Sequence, residues 1–117
     1  MELEQLKNRI QKGGAPKYHE KLKENKKLFA RKRIEMLCDK DTFVEDGLLA
    51  HAMNEEFPAD GVITGLGHVD GRPVAIVAND STIKAGSWGH RTVEKMIRIQ
   101  ETAERLRVPV FYLVDSA

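Results

Sequence analysis

A polar, glycine-containing segment between an apolar run and a long amphipathic pattern is the part of this sequence best suited to chemistry. It follows Asn79-Asp80 and carries Gly86 and Gly89, which allow close backbone approach, and Ser87, which can cap the helix that comes next. The free N–H groups of a helix N-terminus stabilise a phosphate or a developing oxyanion. A purely structural loop with a helix cap explains the same residues, so both interpretations stay open at this point. The spacing is not that of a P-loop, because no Gly-Lys-Ser/Thr sequence follows.

Other residues with chemical potential lack the spacing that their chemistry needs. The four histidines are scattered, without the pairs at short spacing that zinc sites use, and we predict no metal site. Cys38 is the single cysteine, which excludes an internal disulfide and indicates a reducing, cytoplasmic-type compartment, with Cys38 as a small buried residue on a helix. Asp115-Ser116 follows a strand, but the nucleophile-elbow pattern is absent. We therefore predict no catalytic side chain.

The elements that must position this segment are predicted from apolar spacing and turn residues. Leu3, Leu6 and Ile10 predict a short helix that ends at Gly13-Gly14. Pro16 suits the first turn of a second helix, to about residue 25. A third helix is predicted over Ala30–Leu37, followed by a short strand around 42–45.

The middle of the chain predicts a hairpin and a crossover. Strands over 61–69 and 72–79 are joined by Asp70-Gly71, a turn in which both residues adopt positive φ. A helix over 88–107 and a strand over 110–114 complete a β-α-β unit in an α/β fold. Glycines in the first strand suggest a bulge or a close backbone approach. The predicted apolar stripe of the helix is Val93, Met96, Ile97, Ala103 and Leu106.

Residues 74–78 and 110–114 are continuously apolar, so we expect both strands to be covered on both faces. Ligands of such sheets bind beyond the carboxyl ends of the strands, where residues 79–89 and 115–117 lie.

Composition limits the function classes. With 41% hydrophobic and 32% charged residues among 117, the chain is typical of a folded globular protein. No apolar run approaches the roughly 20 residues of a membrane helix, and the acidic, polar N-terminus is unlike a secretory signal.

Charge is distributed unevenly. Residues 1–34 contain eleven Lys/Arg and four Asp/Glu, a net charge of +7, whereas residues 35–117 contain eight and fourteen, a net charge of −6. Such an arm can bind nucleic acid, ligand phosphates or an acidic surface. It lacks a recognisable RNA-binding signature, so we expect a solvated or intermolecular face and no nucleic-acid partner.

Several blocks of sequence, in order, resemble the carboxyltransferase (β) subunits of biotin-dependent acyl-CoA carboxylases of the propionyl-CoA and methylcrotonyl-CoA type. The blocks are residues 13–21, 28–34, 58–65, 71–74, 78–89, 91–101 and 112–117. Together they cover nearly the whole chain after Gln11, which makes the resemblance more specific than any single motif.

The resemblance implies a crotonase-like α/β fold, here partial, with N-terminal helices, one ββα unit and a further buried strand. It also implies transfer of CO2 from carboxybiotin, carried on a partner protein, to the α carbon of an acyl-CoA, with backbone N–H groups holding the oxyanions. The biotin carboxylase and carrier subunit are the implied partners. The implied acyl-CoA-binding residues are Lys84, Ala85, Gly86, Ser87, Trp88 and Gly89.

We accordingly expect a helical basic arm over residues 1–40 and the start of the carboxyltransferase N-terminal domain over 41–117. The family's subunits are several times longer, so we expect a truncated region that is inactive alone. The alternative is a non-catalytic acyl-CoA-binding or subunit-docking module. Because a basic arm cannot cover an apolar sheet without burying unpaired charge, we also expect an uncovered face and self-association into a homo-oligomer.

Overall fold

A computed structural model describes residues 2–47, 61–83 and 90–115, and the side chains of all of these except His90 and Arg91. The elements are α1 (Leu3–Gln11), α2 (Pro16–Glu24), α3 (Ala30–Leu37), β1 (Val44–Asp46), β2 (Val62–Val69), β3 (Arg72–Asn79), α4 (His90–Leu106) and β4 (Val110–Leu113). The predicted helices and the hairpin are confirmed. The first short strand lies slightly later than predicted.

The β2–β3 hairpin is held by its turn and by a side chain from outside it. Asp70 and Gly71 have φ of 52° and 77°, as the turn type requires. The carboxylate of Asp39 accepts hydrogen bonds from the N–H groups of both, at 2.9 and 2.7 Å. The end of α3 is therefore fixed to the tip of the hairpin.

Of the two alternatives that the glycines of β2 suggested, a bulge or a close backbone approach, the structure has the second. Pairing runs without interruption from Val62 opposite Asn79 to Val69 opposite Arg72. A Cβ on Gly65 would lie 2.7 Å from the ring of Phe43. The close approach that we predicted is therefore the reason for glycine here.

The sheet has the order β1-β2-β3-β4, with β3 and β4 parallel and the other pairs antiparallel. Since α4 connects β3 to β4 in sequence, the predicted β-α-β unit is confirmed. Parallel pairing brings the carboxyl ends of β3 and β4 to the same edge of the sheet.

Two helices cover the two faces of the sheet. One core cluster joins α3 to alternate residues of β2 and β3, and the other joins α4 to the intervening residues. The first contains Ala30, Ile34, Cys38, Ile63, Val74, Ile76 and Ala78, and the second contains Val62, Ala75, Val77, Met96, Ile99 and Ala103. Burial of β3 on both faces is as predicted.

The expectation that the basic arm leaves one face uncovered is wrong. Ala30, Ile34 and Cys38 recur at helical spacing and turn inward. The guanidinium of Arg31 pairs in bidentate fashion with the carboxylate of Glu45, at 2.5 and 3.2 Å. Helix α3 can cover the sheet because the guanidinium of Arg31 lies beside the apolar stripe and is paired with Glu45.

The expectation that β4 is fully buried is also wrong. Tyr112 is 47% exposed and the other residues of the strand are half-buried, while Val114, the residue after the strand, is 70% exposed. In the described sheet β4 is the edge strand, with β3 as its only neighbour. An apolar run alone does not distinguish a central strand from an edge strand.

The buried side of α4 differs from the predicted stripe. Val93, Ile97 and Leu106 are 42–51% exposed, while Thr92 and Lys95 are buried. The ammonium of Lys95 donates to the Val62 carbonyl oxygen, so a polar side chain that the predicted stripe does not include is buried here. No helix in the described ranges is long and apolar enough to cross a membrane.

Two glycine-to-alanine substitutions test the close packing of β1 on β2. Gly65→Ala must push β1 and Phe43 away, and we expect a loss at the upper end of the about 1–3 kcal/mol typical of overpacking. Gly71→Ala adds a methyl group where nothing lies within 4 Å and pays only for positive φ, about 1 kcal/mol. Urea unfolding of both variants measures the difference. A Gly71→Ala protein less stable than Gly65→Ala would contradict this packing.

Candidate functional site

The carboxyl ends of the two parallel strands are joined by a hydrogen bond. Asn79 ends β3, and Asp115 lies two residues beyond β4. The backbone N–H of Asp115 donates to the side-chain Oδ1 of Asn79, at 3.0 Å. The two strand ends singled out from the sequence therefore meet.

Two cations of the N-terminal helical region reach these strand ends. Lys27, between α2 and α3, donates to Asp115 Oδ1 at 3.0 Å. Arg33, on α3, donates to the carbonyl oxygen of Asn79 at 2.9 Å. Each strand end is thus held by one positively charged side chain.

A cavity of about 300 Å³ lies at this place. Its lining consists of Lys27, Leu28, Arg33, Val114 and Asp115. The walls combine two apolar side chains with two cations and one carboxylate, a formal charge of +1. This combination suits a ligand that has an apolar part and an anionic part.

Asp115 is an acceptor here and not an acid. Burial raises its pKa, but hydrogen bonds from Lys27 and Ser81 and the charges of Lys27 and Arg33 outweigh burial and hold the pKa below its ordinary value of 3.8. An ionised carboxylate has no proton to give at neutral pH. The site can therefore bind and orient, but Asp115 cannot serve it as a general acid.

The turn after β3 contains a buried carboxylate. Asp80 is 2% exposed, and its Oδ1 accepts hydrogen bonds from the Thr82 N–H, at 3.0 Å, and from the Thr82 hydroxyl. Burial raises the pKa of Asp80, and the bonds from Thr82 and the charges of Arg31 and His19 only partly offset it. The chain leaves this turn at Ile83.

The residues predicted to bind the substrate, Lys84, Ala85, Gly86, Ser87, Trp88 and Gly89, lie outside the described residues. They connect Ile83 to His90, the first residue of α4. The helix was predicted from residue 88, and residues 88 and 89 lie outside the described ranges. Ser116 and Ala117 are outside the described ranges as well. The structure therefore places the two ends of the predicted segment and its neighbour Asn79.

Lys27 and Arg33 are the site residues that sequence reasoning missed. The charge of residues 1–34 was visible, but it pointed to a solvated or intermolecular face. The partner of Lys27 lies 88 residues away and that of Arg33 lies 46 away, so no local pattern identifies either pair. The resemblance of residues 28–34 to a known family was the one available signal.

His19 and Cys38 have structural surroundings. His19 donates from Nε2 to the Lys12 carbonyl oxygen, at 2.8 Å, and its ring contacts Phe29. Cys38 is buried, and burial raises the pKa of its thiol, which disfavours the reactive thiolate. Among the described residues, no three potential ligands group around a metal position.

A larger cavity, about 580 Å³, lies at the other end of β3. Cys38 and Asp39 are among its lining residues. Asp39 is already bonded to the hairpin turn at Asp70 and Gly71, on the side where β3 begins. This cavity is therefore separate from the carboxyl ends of the strands.

The fold is that of part of a carboxyl transferase domain. The family described as "Carboxyl transferase domain" matches residues 21–117. The chain belongs to this family, and its fold is part of the crotonase-like fold.

Its relatives include named carboxylases. The chain is 56% identical over 109 residues to the uncharacterized carboxylase YngE of Bacillus subtilis. The aligned region covers 93% of this chain and 21% of that protein. It is 44% identical over 121 residues to the mitochondrial methylcrotonoyl-CoA carboxylase beta chain of Dictyostelium discoideum, covering 97% of the chain and 21% of that protein. Among solved structures, transcarboxylase 12S with methylmalonyl-coenzyme A bound has a TM-score of 0.88 and 32% identity, over 98% of this chain and 24% of that one. The chain spans about a fifth of the length of the curated relatives.

Replacing Asp115 with asparagine tests the strand-end ion pair. At neutral pH we expect a loss of about 0.5–1 kcal/mol, because Lys27 is half exposed and its partner's charge is gone. Because the pKa of Asp115 is lowered in the folded state, its ionisation stabilises the fold at pH values above the ordinary pKa of 3.8. This contribution is lost as the pH falls through the folded-state pKa. The difference between wild type and Asp115→Asn should therefore close on acidification. Urea unfolding at a series of pH values measures it, and a constant difference would contradict the assignment.

Asp80 should show the opposite dependence on pH. Its pKa is raised, so its contribution to stability is full below 3.8 and is lost as pH rises through the folded-state pKa. Asp80→Asn keeps an acceptor oxygen for Thr82 and carries no charge, so wild type should lose stability relative to this variant as pH rises. Asp80→Ala removes the acceptor as well and should cost about 1–3 kcal/mol. If the stability of Asp80→Asn relative to wild type increased as the pH fell, the result would contradict the burial of the Asp80 charge.

Proposed function

We propose that the chain forms the acyl-CoA side of a carboxyltransferase that moves CO2 from carboxybiotin to the α carbon of an acyl-CoA. The observation that carries the proposal is the meeting of the carboxyl ends of β3 and β4 beside a cavity with cationic and apolar walls, in a member of the carboxyl transferase domain family. An acyl-CoA carries anionic phosphates and an apolar acyl group. These match the two kinds of wall.

In this proposal the chain binds and orients, and its side chains move no proton. Lys84 to Gly89 approach the acyl-CoA next to the N-terminus of α4, where free N–H groups favour a phosphate or the thioester oxyanion. Lys27 and Arg33 hold the strand ends and make the potential at the cavity positive. Carboxybiotin on a partner protein supplies the carboxyl group, and no described residue of this chain is assigned to it.

Partners and location belong to the same proposal. The partners are the biotin carboxylase and carrier subunit, and the compartment is cytoplasmic, as the single buried thiol of Cys38 suits. A homo-oligomer is supported by the description of transcarboxylase 12S as a hexamer assembly and by exposed apolar side chains on α4, on β4 and at the residue after β4. These side chains are Val93, Ile97, Leu106, Tyr112 and Val114.

The experiment that tests the function measures both binding and transfer. We expect the 117-residue chain alone to show no carboxyl transfer to propionyl-CoA, because removing even one oxyanion donor costs roughly 10²–10³ in rate. The chain can also replace the matching fifth of the Dictyostelium methylcrotonoyl-CoA carboxylase beta chain. We expect the resulting chimaera to carboxylate methylcrotonoyl-CoA. Cooperative melting of the chimaera controls for folding. Turnover by the isolated chain, or a folded chimaera without turnover, would contradict the proposal.

A charge-matched pair of variants tests the predicted binding segment. Lys84→Gln removes one cation from it, and a hydrogen bond to a charged group contributes about 1.5–3 kcal/mol, so propionyl-CoA affinity should fall about tenfold or more. Lys21→Gln makes the same change on exposed α2 and should leave affinity within about twofold. Calorimetric titration measures both. Equal effects of the two substitutions, or tighter binding of RNA than of CoA, would favour a general basic surface or the nucleic-acid alternative.

A further inference from the structure

The turn that leads into the predicted binding segment is tied to the linker between α1 and α2. The backbone N–H of Gly14 donates to Thr82 Oγ1, at 2.9 Å. The Thr82 hydroxyl in turn donates to Asp80 Oδ1, which also accepts the Thr82 N–H. We call Gly14, Asp80 and Thr82 the linker clamp. Its two side chains are 2% exposed, so water cannot replace a lost bond without opening the structure.

The linker approaches this turn so closely that side chains are excluded from it. A Cβ on Gly14 would overlap the carbonyl group of Thr82. A Cβ on Gly13 would lie 2.8 Å from Thr82 Oγ1 and 2.9 Å from Asp80 Oδ2. Both glycines are therefore fitted to the turn.

The packing of α1 is directed at the same place. Its buried residue Ile10 forms a cluster with Ile83, against which Leu6 also packs, and this cluster is separate from the two cores of the sheet. Within the described residues, α1 contributes to neither sheet core. The helix thus packs on the last residue before the predicted binding segment.

Burial of the Asp80 carboxylate costs desolvation free energy that a purely structural link would not require. The carboxylate is buried without a cation at ion-pair distance among the described residues, since Arg31 and His19 act on it only over a longer range. A neutral side chain would hold the turn without the desolvation of a charge. Costly buried carboxylates of this kind concentrate at functional sites.

We propose that Thr82, oriented by Asp80, is a positioning residue that fixes the start of the β3–α4 connection for acyl-CoA binding. The inference rests on the proposed function. Thr82 touches no substrate: it anchors the chain at Ile83, and α1 and its linker form the fixed support. Loosening this anchor should weaken acyl-CoA binding more than it weakens the fold as a whole.

A matched pair of threonines separates positioning from stability. Thr82→Val keeps the shape and removes the hydroxyl. Thr64→Val does the same at another fully buried threonine, whose hydroxyl donates to the Asp46 carbonyl oxygen, at 3.0 Å, between β2 and β1. We expect similar losses in urea unfolding for both. Thr82→Ser restores the hydroxyl and serves as the conservative rescue.

Two measurements on the full chain decide the outcome. In calorimetric titration with propionyl-CoA, Thr82→Val should raise Kd about tenfold, while Thr82→Ser and Thr64→Val stay within about twofold of wild type. Amide hydrogen exchange of Thr82 and Ile83 should accelerate in Thr82→Val and not in Thr64→Val. If Thr82→Val does not fold, Ile10→Val, which loosens the same turn from α1, should accelerate the same amides.

The possible results separate this inference from the function on which it rests. An equal rise of Kd in Thr64→Val and Thr82→Val would overturn the positioning role, as would an unchanged Kd in Thr82→Val. If wild type does not bind propionyl-CoA, the proposed function fails. Hydrogen exchange then tests whether the Thr82 hydroxyl anchors the chain at Ile83. Unchanged exchange at Ile83 would overturn this anchoring role, and selective acceleration would support it.

Discussion

Burial of β3 on both faces is the constraint on which the rest of the structure depends. Residues 74–79 of the strand are at most 8% exposed. A strand covered in this way needs a helix on each side and a strand along each edge. Helix α3 comes from before the hairpin and α4 from after it, so segments far apart in sequence meet on one strand. Parallel pairing of β4 follows from the crossover through α4, and it places both carboxyl ends together.

The arm is strongly positive and still covers an apolar sheet, because the apolar and the charged side chains of α3 lie on different sides of the helix. Ala30 and Ile34 face the sheet. Arg31 bonds to the carboxylate of Glu45, and Arg33 bonds to the carbonyl oxygen of Asn79. Pairing of partly buried charges costs desolvation that only good geometry offsets. The same geometry brings Arg33 to the end of β3. Cover of the core and organisation of the strand ends are therefore consequences of one helix.

Local chemistry made much of the fold predictable. Asp70-Gly71 specifies the hairpin turn, and Pro16 specifies the start of α2. The apolar run 74–78 forms the buried strand that it predicts, although the similar run 110–114 does not. The packing of α4 was less predictable, because Thr92 and Lys95 are buried beside Met96 and Ala103 while Val93 and Ile97 are exposed. The same holds for the site. The meeting of the strand ends follows from topology, but the cations that hold them come from partners that only the folded chain brings near.

The distances in sequence between the bonded groups also set an order of events during synthesis. Gly14 bonds to a residue 68 positions later, and Lys27 pairs with one 88 positions later. At roughly 5–20 residues per second, the helices of the arm wait on the order of 10 s on the ribosome before their partners exist. Contacts of such long range also slow folding after release. The arm is made first and packed late, and until residues 63–78 have been made the apolar stripe of α3 is open to chaperones and to neighbouring nascent chains.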